Sequence, residues 1–189
     1  MEKRVKLSEK QTEAADFLSQ NETAVELLYG GAKYGGKSWF GSLFCYDECI
    51  RLIKLCNIKK SAHPIPVGFM GRMTGQDFRT TTLNSFFEVI PAELYRIKGK
   101  PEEIIIEDRV KIYTGGLDKQ ESINKFNSAQ LAFYFIDQAE EVPKDKISLL
   151  RAATFWRLMI NGIKIPGKGL LTANPRQCWL RDDFILSAA

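Results

Sequence analysis

The residues Gly31-Ala32-Lys33-Tyr34-Gly35-Gly36-Lys37-Ser38 carry the complete spacing GxxxxGK[ST]. Glycines at this spacing let the backbone curl until successive N–H groups face one point. The positive end of a following helix adds to the pull on phosphate oxygens. In such a loop the lysine, here Lys37, reaches the β- and γ-phosphates, and the hydroxyl, here Ser38, binds Mg²⁺. The motif predicts a site for a nucleoside triphosphate, read as ATP with Mg²⁺, with Gly31, Gly35 and Gly36 shaping the cradle. A loop of this kind binds; hydrolysis needs, in addition, a carboxylate beside the metal and a group that handles water.

Phe133-Tyr134-Phe135-Ile136-Asp137 is a hydrophobic run ending in an acid, the form expected of the metal-shell carboxylate, so Asp137 is the second candidate. Gln138 follows; its amide can orient water but cannot take a proton from it. Beyond it stand Glu140 and Glu141. Either can serve as the base, and the two can equally form an acidic first turn that complements the next helix. Alternation of faces favours Glu140 of the two if the chain stays extended, and a turn after Asp137 would remove that preference. Thr172 and Asn174, in Leu171-Thr172-Ala173-Asn174-Pro175, can hydrogen-bond a γ-phosphate or an attacking water. The same string is also an ordinary turn before proline.

These groups have to be delivered to one place. Ala24–Tyr29 is a short apolar run that predicts a buried strand ahead of the loop. From Lys37 to Leu55, Phe40, Leu43, Phe44, Ile50 and Ile53 recur at roughly helical spacing. Upstream, Ser8 with Gln11 three residues on predicts a capping box, opening a helix that runs to about Ser19. Val67–Met70, Leu131–Ile136 and Gly169–Thr172 read as strands, Phe78–Val89 and Lys144–Leu158 as helices. Ile104–Ile106 and Val110–Tyr113 read as a hairpin turning at Glu107-Asp108, and Cys56–Pro66 as a linker. Strands alternating with helices predict an α/β fold, a mostly parallel sheet sandwiched by helices, and unbroken apolar strands fit burial on both sides. Ser38 and Asp137 must reach one Mg²⁺, so their strands must be close neighbours and the two side chains within about 8 Å.

Composition narrows the classes. The 189 residues, 44% apolar and 26% charged, suit one soluble domain with a substantial core. A net charge of +4 with no strongly basic stretch permits nucleic-acid binding without arguing for it. Cys45, Cys49, Cys56 and Cys178 form no CxxC pair and His63 is the single histidine, which speaks against structural zinc. Cys45 and Cys49, one helical turn apart, read as packing. With no signal peptide and no apolar run of about 18 residues, the expectation is an intracellular, non-membrane protein without disulfides.

In their order, these strings resemble the ATPase domain of the large terminase subunit, the DNA-packaging motor of tailed bacteriophages. Leu7-Ser8-Glu9-Lys10-Gln11 looks like that family's adenine-reading start, in which a glutamine, here Gln11, contacts the base. The loop looks like its P-loop, where an extra basic residue, here Lys33, often sits four before the lysine. Phe69-Met70-Gly71-Arg72-Met73-Thr74 resembles the strand and arginine that follow. Asp137-Gln138-Ala139-Glu140-Glu141 resembles its Asp-Glu-Ala-Glu-Glu motif, with Gln138 in place of the usual base, and Leu171–Pro175 with Trp179 resembles its coupling motif. The resemblance implies a P-loop NTPase fold of the additional-strand (ASCE, recombinase/helicase-like) type. It also implies a basic group lent by a neighbouring subunit, for which Lys125 lies in about the right place, with Arg72, Arg79 and Arg151 as rivals that more often serve as solvated surface charges. Implied partners are double-stranded DNA, a portal protein, a small terminase subunit and further copies in a ring, in the host-cell cytoplasm. The family's metal-dependent nuclease domain has no counterpart in 1–189, which is expected to be a single ATPase domain. Two other readings stay open: a helicase- or recombination-type DNA-dependent ATPase, and a nucleotide-binding regulatory module that hydrolyses weakly.

Overall fold

The computed structural model describes residues 6–32, 34–61, 63–100, 102–119, 126, 130–155 and 158–187. Seven strands form one sheet in the spatial order β1 (Val25–Gly30), β9 (Lys168–Ala173), β6 (Leu131–Ile136), β2 (Val67–Arg72), β5 (Val110–Gly116), β4 (Glu103–Ile106), β3 (Tyr95–Lys98). The first five run parallel; at the edge β4 pairs antiparallel with β5, and β3 antiparallel with β4. The expected mostly parallel, helix-covered sheet is therefore present. β1 and β6 are close neighbours but not adjacent, because β9 lies between them and pairs with both.

Every residue of β6 is buried, the physical reason its sequence is an unbroken apolar run. Phe133 and Phe135 face helix α2 (Lys37–Leu55), with Phe44 set edge-on to Phe133 at a centroid distance of 6.0 Å. Tyr134 and Ile136 face the other way, onto Ile147 and Leu150 of helix α4 (Lys144–Thr154). Gly41 lets α2 press against the sheet: a Cβ there would stand 2.0 Å from the Phe135 ring. Cys45 and Cys49 are fully buried in the same layer, and burial pushes both thiols well up, which fits packing rather than reactivity.

Helix α1 (Glu9–Gln20) opens with the expected capping box: the Ser8 hydroxyl accepts from Gln11 N, and the Gln11 side chain accepts from Ser8 N at 2.9 Å. Helix α3 spans 75–89 and is interrupted by a π-helical turn, Phe78–Thr82. The hairpin of β4 and β5 turns where predicted, with Glu107 and Asp108 both at positive φ.

Two expectations need correction. The helix beginning at Lys144 ends at Thr154, not Leu158. Leu158 instead opens strand β7 (Leu158–Ile160), paired with β8 (Ile163–Ile165) across Asn161-Gly162, both at positive φ. Asn-Gly between apolar runs is a strong hairpin signal, and here it overrides the helical periodicity that precedes it. The edge strand β3 was not expected, because four residues with two exposed cations carry too little apolar pattern to stand out. Among the described residues no helix is long and apolar enough to cross a membrane.

Candidate active site

The parallel strands deliver their C-terminal ends to one edge of the sheet, where open α/β folds bind ligands. β1 runs into the glycine-rich loop, which is tied to the end of β9 by a Gly31 N–H donated to the Ala173 carbonyl at 3.2 Å. Gly36 closes the loop at φ 68°, a left-handed conformation suited to glycine. A Cβ there would also meet Gln11 Nε2 at 2.9 Å. Lys37, the first residue of α2, is 8% exposed. Its ammonium lies inside the curl of the loop and donates to the carbonyls of Gly31 (2.9 Å) and Ala32 (2.7 Å).

Asp137, 2% exposed, is where the strands converge. Its Oδ2 accepts from Ser38 Oγ at 2.7 Å and Thr82 Oγ1 at 2.8 Å; its Oδ1 accepts from Thr172 Oγ1 at 2.6 Å and Gln138 N at 3.1 Å. The Ser38–Asp137 contact lies far inside the 8 Å expected of two groups sharing an ion. All four donors are neutral, so they stabilise the carboxylate without cancelling its charge. A hydroxyl and a carboxylate in contact, ringed by further hydroxyls, form a hard-oxygen donor set that fits Mg²⁺ completing its shell with phosphate and water.

Thr82 escaped the sequence reading. Its position on α3 brings a fully buried hydroxyl to Asp137 from a third element. The available signal was Thr80-Thr81-Thr82, three successive β-branched residues in a helix they do not favour; the chain accommodates them in the π-helical turn, a feature common at functional sites. Thr82→Val keeps the shape and removes one donor from a buried carboxylate. It is expected to lower stability by about 1.5–3 kcal/mol, the range for hydrogen bonds to charged groups, read by urea unfolding. A loss under about 0.5 kcal/mol would show that the other donors suffice.

Past Asp137 the chain leaves the extended form. Gln138 sits at φ 53°, ψ 52°, and Ala139–Glu141 make a short 3₁₀ turn. The alternation argument for Glu140 therefore does not apply, yet the turn separates the two acids by another route. Glu140 Oε1 accepts from Asn174 Nδ2 at 2.7 Å, while its Oε2 is buried without a hydrogen-bond partner among the described residues. Glu141 is more exposed and faces Arg72 at 3.3 Å. Thr172 and Asn174 thus both engage acids of the site, so this string is more than a turn before proline.

Arg72 is the second correction to the candidates. It is no solvated charge: it is 9% exposed at the end of β2. It donates to Thr81 Oγ1 at 2.9 Å, to Gln138 Oε1 and to Glu141. Arg79 pairs with Glu102 at 3.1 Å. Arg151 holds Glu26 at 2.6 Å, near the start of β1 and so at the opposite end of the sheet from the loop; burial pushes the Glu26 carboxyl up, against the pull of that arginine. Gln11 reaches the loop, its Nε2 donating to the Gly36 carbonyl at 3.4 Å. Lys33 and Lys125 lie outside the described residues.

The sequence matches no family model and no curated protein. The structure does have counterparts. It superposes on the large terminase from a thermophilic bacteriophage with a TM-score of 0.69 at 16% identity, over 97% of this chain and 43% of the terminase. The same terminase in complex with ADP gives 0.61 at 15% identity, over 96% and 42%. The chain folds like a large-terminase ATPase domain. The viral genome packaging motor assembly of bacteriophage Phi-29 gives 0.52 at 11% identity, over 89% of this chain and 49% of that one. The chain spans about two-fifths of the length of the thermophilic-phage terminase, so the terminase-like fold accounts for one part of such a protein.

Proposed function

We propose that this chain is the ATP-hydrolysing motor domain of a viral DNA-packaging terminase. The observation that carries the reading is the convergence of Ser38, Thr82 and Thr172 on Asp137 beside a complete phosphate loop. The thermophilic-phage terminase, whose fold this chain shares, is known in complex with ADP.

In this reading the loop N–H groups and Lys37 hold the triphosphate, Gln11 lies toward the adenine, and Lys33 adds positive charge to the loop. Ser38 and Asp137 would hold Mg²⁺, which when bound neutralises charge on the β- and γ-phosphates. A water oxygen attacks the γ-phosphorus as the bond to the β–γ bridging oxygen breaks. The proton of that water passes to Glu140 Oε2, a buried acceptor unpaired among the described residues, and ADP and phosphate leave. Thr172, which bonds Asp137 near the end of β9, and Asn174, which bonds Glu140 just after it, would in this reading report hydrolysis to the chain beyond. Lys125 of a neighbouring copy completes the charge in a homo-oligomeric ring that assembles around double-stranded DNA, with a portal protein and a small terminase subunit as partners in the host cytoplasm.

The test is Mg²⁺-dependent ATP turnover with and without double-stranded DNA. Turnover that rises with DNA supports the motor reading. Turnover indifferent to DNA removes the motor, and ATP binding without turnover leaves a regulatory nucleotide module.

A further inference from the structure

The end of β2 and the turn after β6 are joined by a contact that the hydrolytic reading leaves unused. Arg72 is buried, and its guanidinium faces the side chain of Gln138. A guanidinium has only donors. Whichever carboxamide atom meets it must be the oxygen, so the Gln138 oxygen is turned toward Arg72 and the N–H₂ is the amide's end facing away from it. Glu140 is the mirror case. A carboxylate only accepts, so Asn174 must present its N–H₂ to it; one oxygen is thereby committed and Oε2 remains as a buried acceptor. Two residues apart on one turn, the chain thus holds an amide N–H₂ donor and, in Glu140 Oε2, an acceptor unpaired among the described residues, each side chain fixed by a partner from another strand end.

We propose that Arg72 is a positioning residue that turns Gln138 into a hydrogen-bond donor to the attacking water, complementing Glu140 as the acceptor of its proton. The proposal rests on the ATPase reading above. An attacking water has a lone pair to be held and a proton to be taken, and a donor and an acceptor on one turn match those two needs. The pairing also gives a physical reason for an amide at 138. A carboxylate there would form an ion pair with Arg72, which favours its charged form and weakens it as a base. Thr81 braces the guanidinium from the π-helical turn that also supplies Thr82 to Asp137, so one segment of α3 aligns both halves of the site.

The experiment compares Arg72→Met, Arg72→Lys, Gln138→Glu and the Arg72→Met/Gln138→Glu pair with the unsubstituted chain, measuring kcat, KM, ATP affinity and the pH–rate profile. Arg72→Met is expected to lower kcat about 10- to 100-fold, the scale of a misplaced reacting group, with ATP affinity within about twofold; Arg72→Lys restores part of the loss. Gln138→Glu is expected to lower kcat while Arg72 is present, because the new carboxylate has no N–H and is held by the guanidinium. With Arg72 also replaced, that carboxylate is released and adds a new acidic limb to the pH–rate profile. Arg72→Met with undiminished kcat, or Gln138→Glu with raised kcat beside an intact Arg72, overturns the proposal. Should Arg72→Met fail to fold, Gln138→Glu and Gln138→Met decide it: equal, unimpaired kcat in both sinks the donor role. If the unsubstituted chain neither binds nor hydrolyses ATP, the ATPase reading fails and this inference falls with it. If it turns over and the variants match it, only the inference fails.

Discussion

Lys37→Ala is expected to abolish measurable ATP turnover, a loss of at least about 10²–10³-fold, the scale on which one preorganised transition-state donor acts. Two effects add. The ammonium is the one charge the described loop directs inward, and in the proposed reading it is the group that would meet the β- and γ-phosphates. Its present partners, the carbonyls of Gly31 and Ala32, also lose their donor, so the loop loses a brace together with its charge. Nucleotide affinity should fall as well, and titration with a fluorescent ATP analogue reads that directly. A melting curve close to that of the unsubstituted chain separates loss of function from loss of fold. Unchanged turnover in a clean preparation would sink the assignment of the phosphate loop.

Glu140→Gln should slow hydrolysis by about 10²–10⁴-fold, the usual contribution of general-base help, while leaving ATP binding intact. The substitution is narrow by design. A glutamine at 140 can still accept from Asn174 through its amide oxygen, so the anchor survives and only the proton acceptor is removed. Glu141→Gln tests the neighbour: its carboxylate faces Arg72 and solvent, and its loss should have a far smaller effect on single-turnover rates. Equal rates for the two variants would remove Glu140 as the base.

The strings holding the phosphate loop, Asp137, Thr172 and Asn174 could be picked out because each is local in sequence, and the structure brings them to one end of the sheet. The long elements were legible for a similar reason: burial of β6 on both faces leaves an unbroken apolar run, and α2 carries a clear apolar stripe. What stayed hidden depends on contacts between distant parts of the chain. Thr82 matters only because α3 crosses the end of β6, and nothing near Thr82 in sequence says so. Arg72 looked like a surface charge because long cations usually are; only the fold shows it buried between Thr81, Gln138 and Glu141. The separation of Glu140 from Glu141 depends on the left-handed turn at Gln138, which a β-strand periodicity cannot foresee. The Asn161-Gly162 hairpin, by contrast, was readable and was masked by the helical pattern preceding it.

The sheet order has a bearing on how the protein is made. β1 lies at the edge, and among the described residues it pairs only with β9, Val25 against Lys168 through Gly30 against Ala173. As the chain leaves the ribosome, the phosphate-loop strand has no partner until nearly the whole of this sequence has been synthesised. Such distant parallel pairing is slow to form, and an unpaired apolar strand is a point of aggregation while it waits. Nascent chains stopped before residue 168 should therefore be open to proteolysis around 25–38, and protection there should appear only once β9 has emerged. The candidate site is thus among the last features of the domain to close, and a product that stops before β9 cannot carry its complete set of residues.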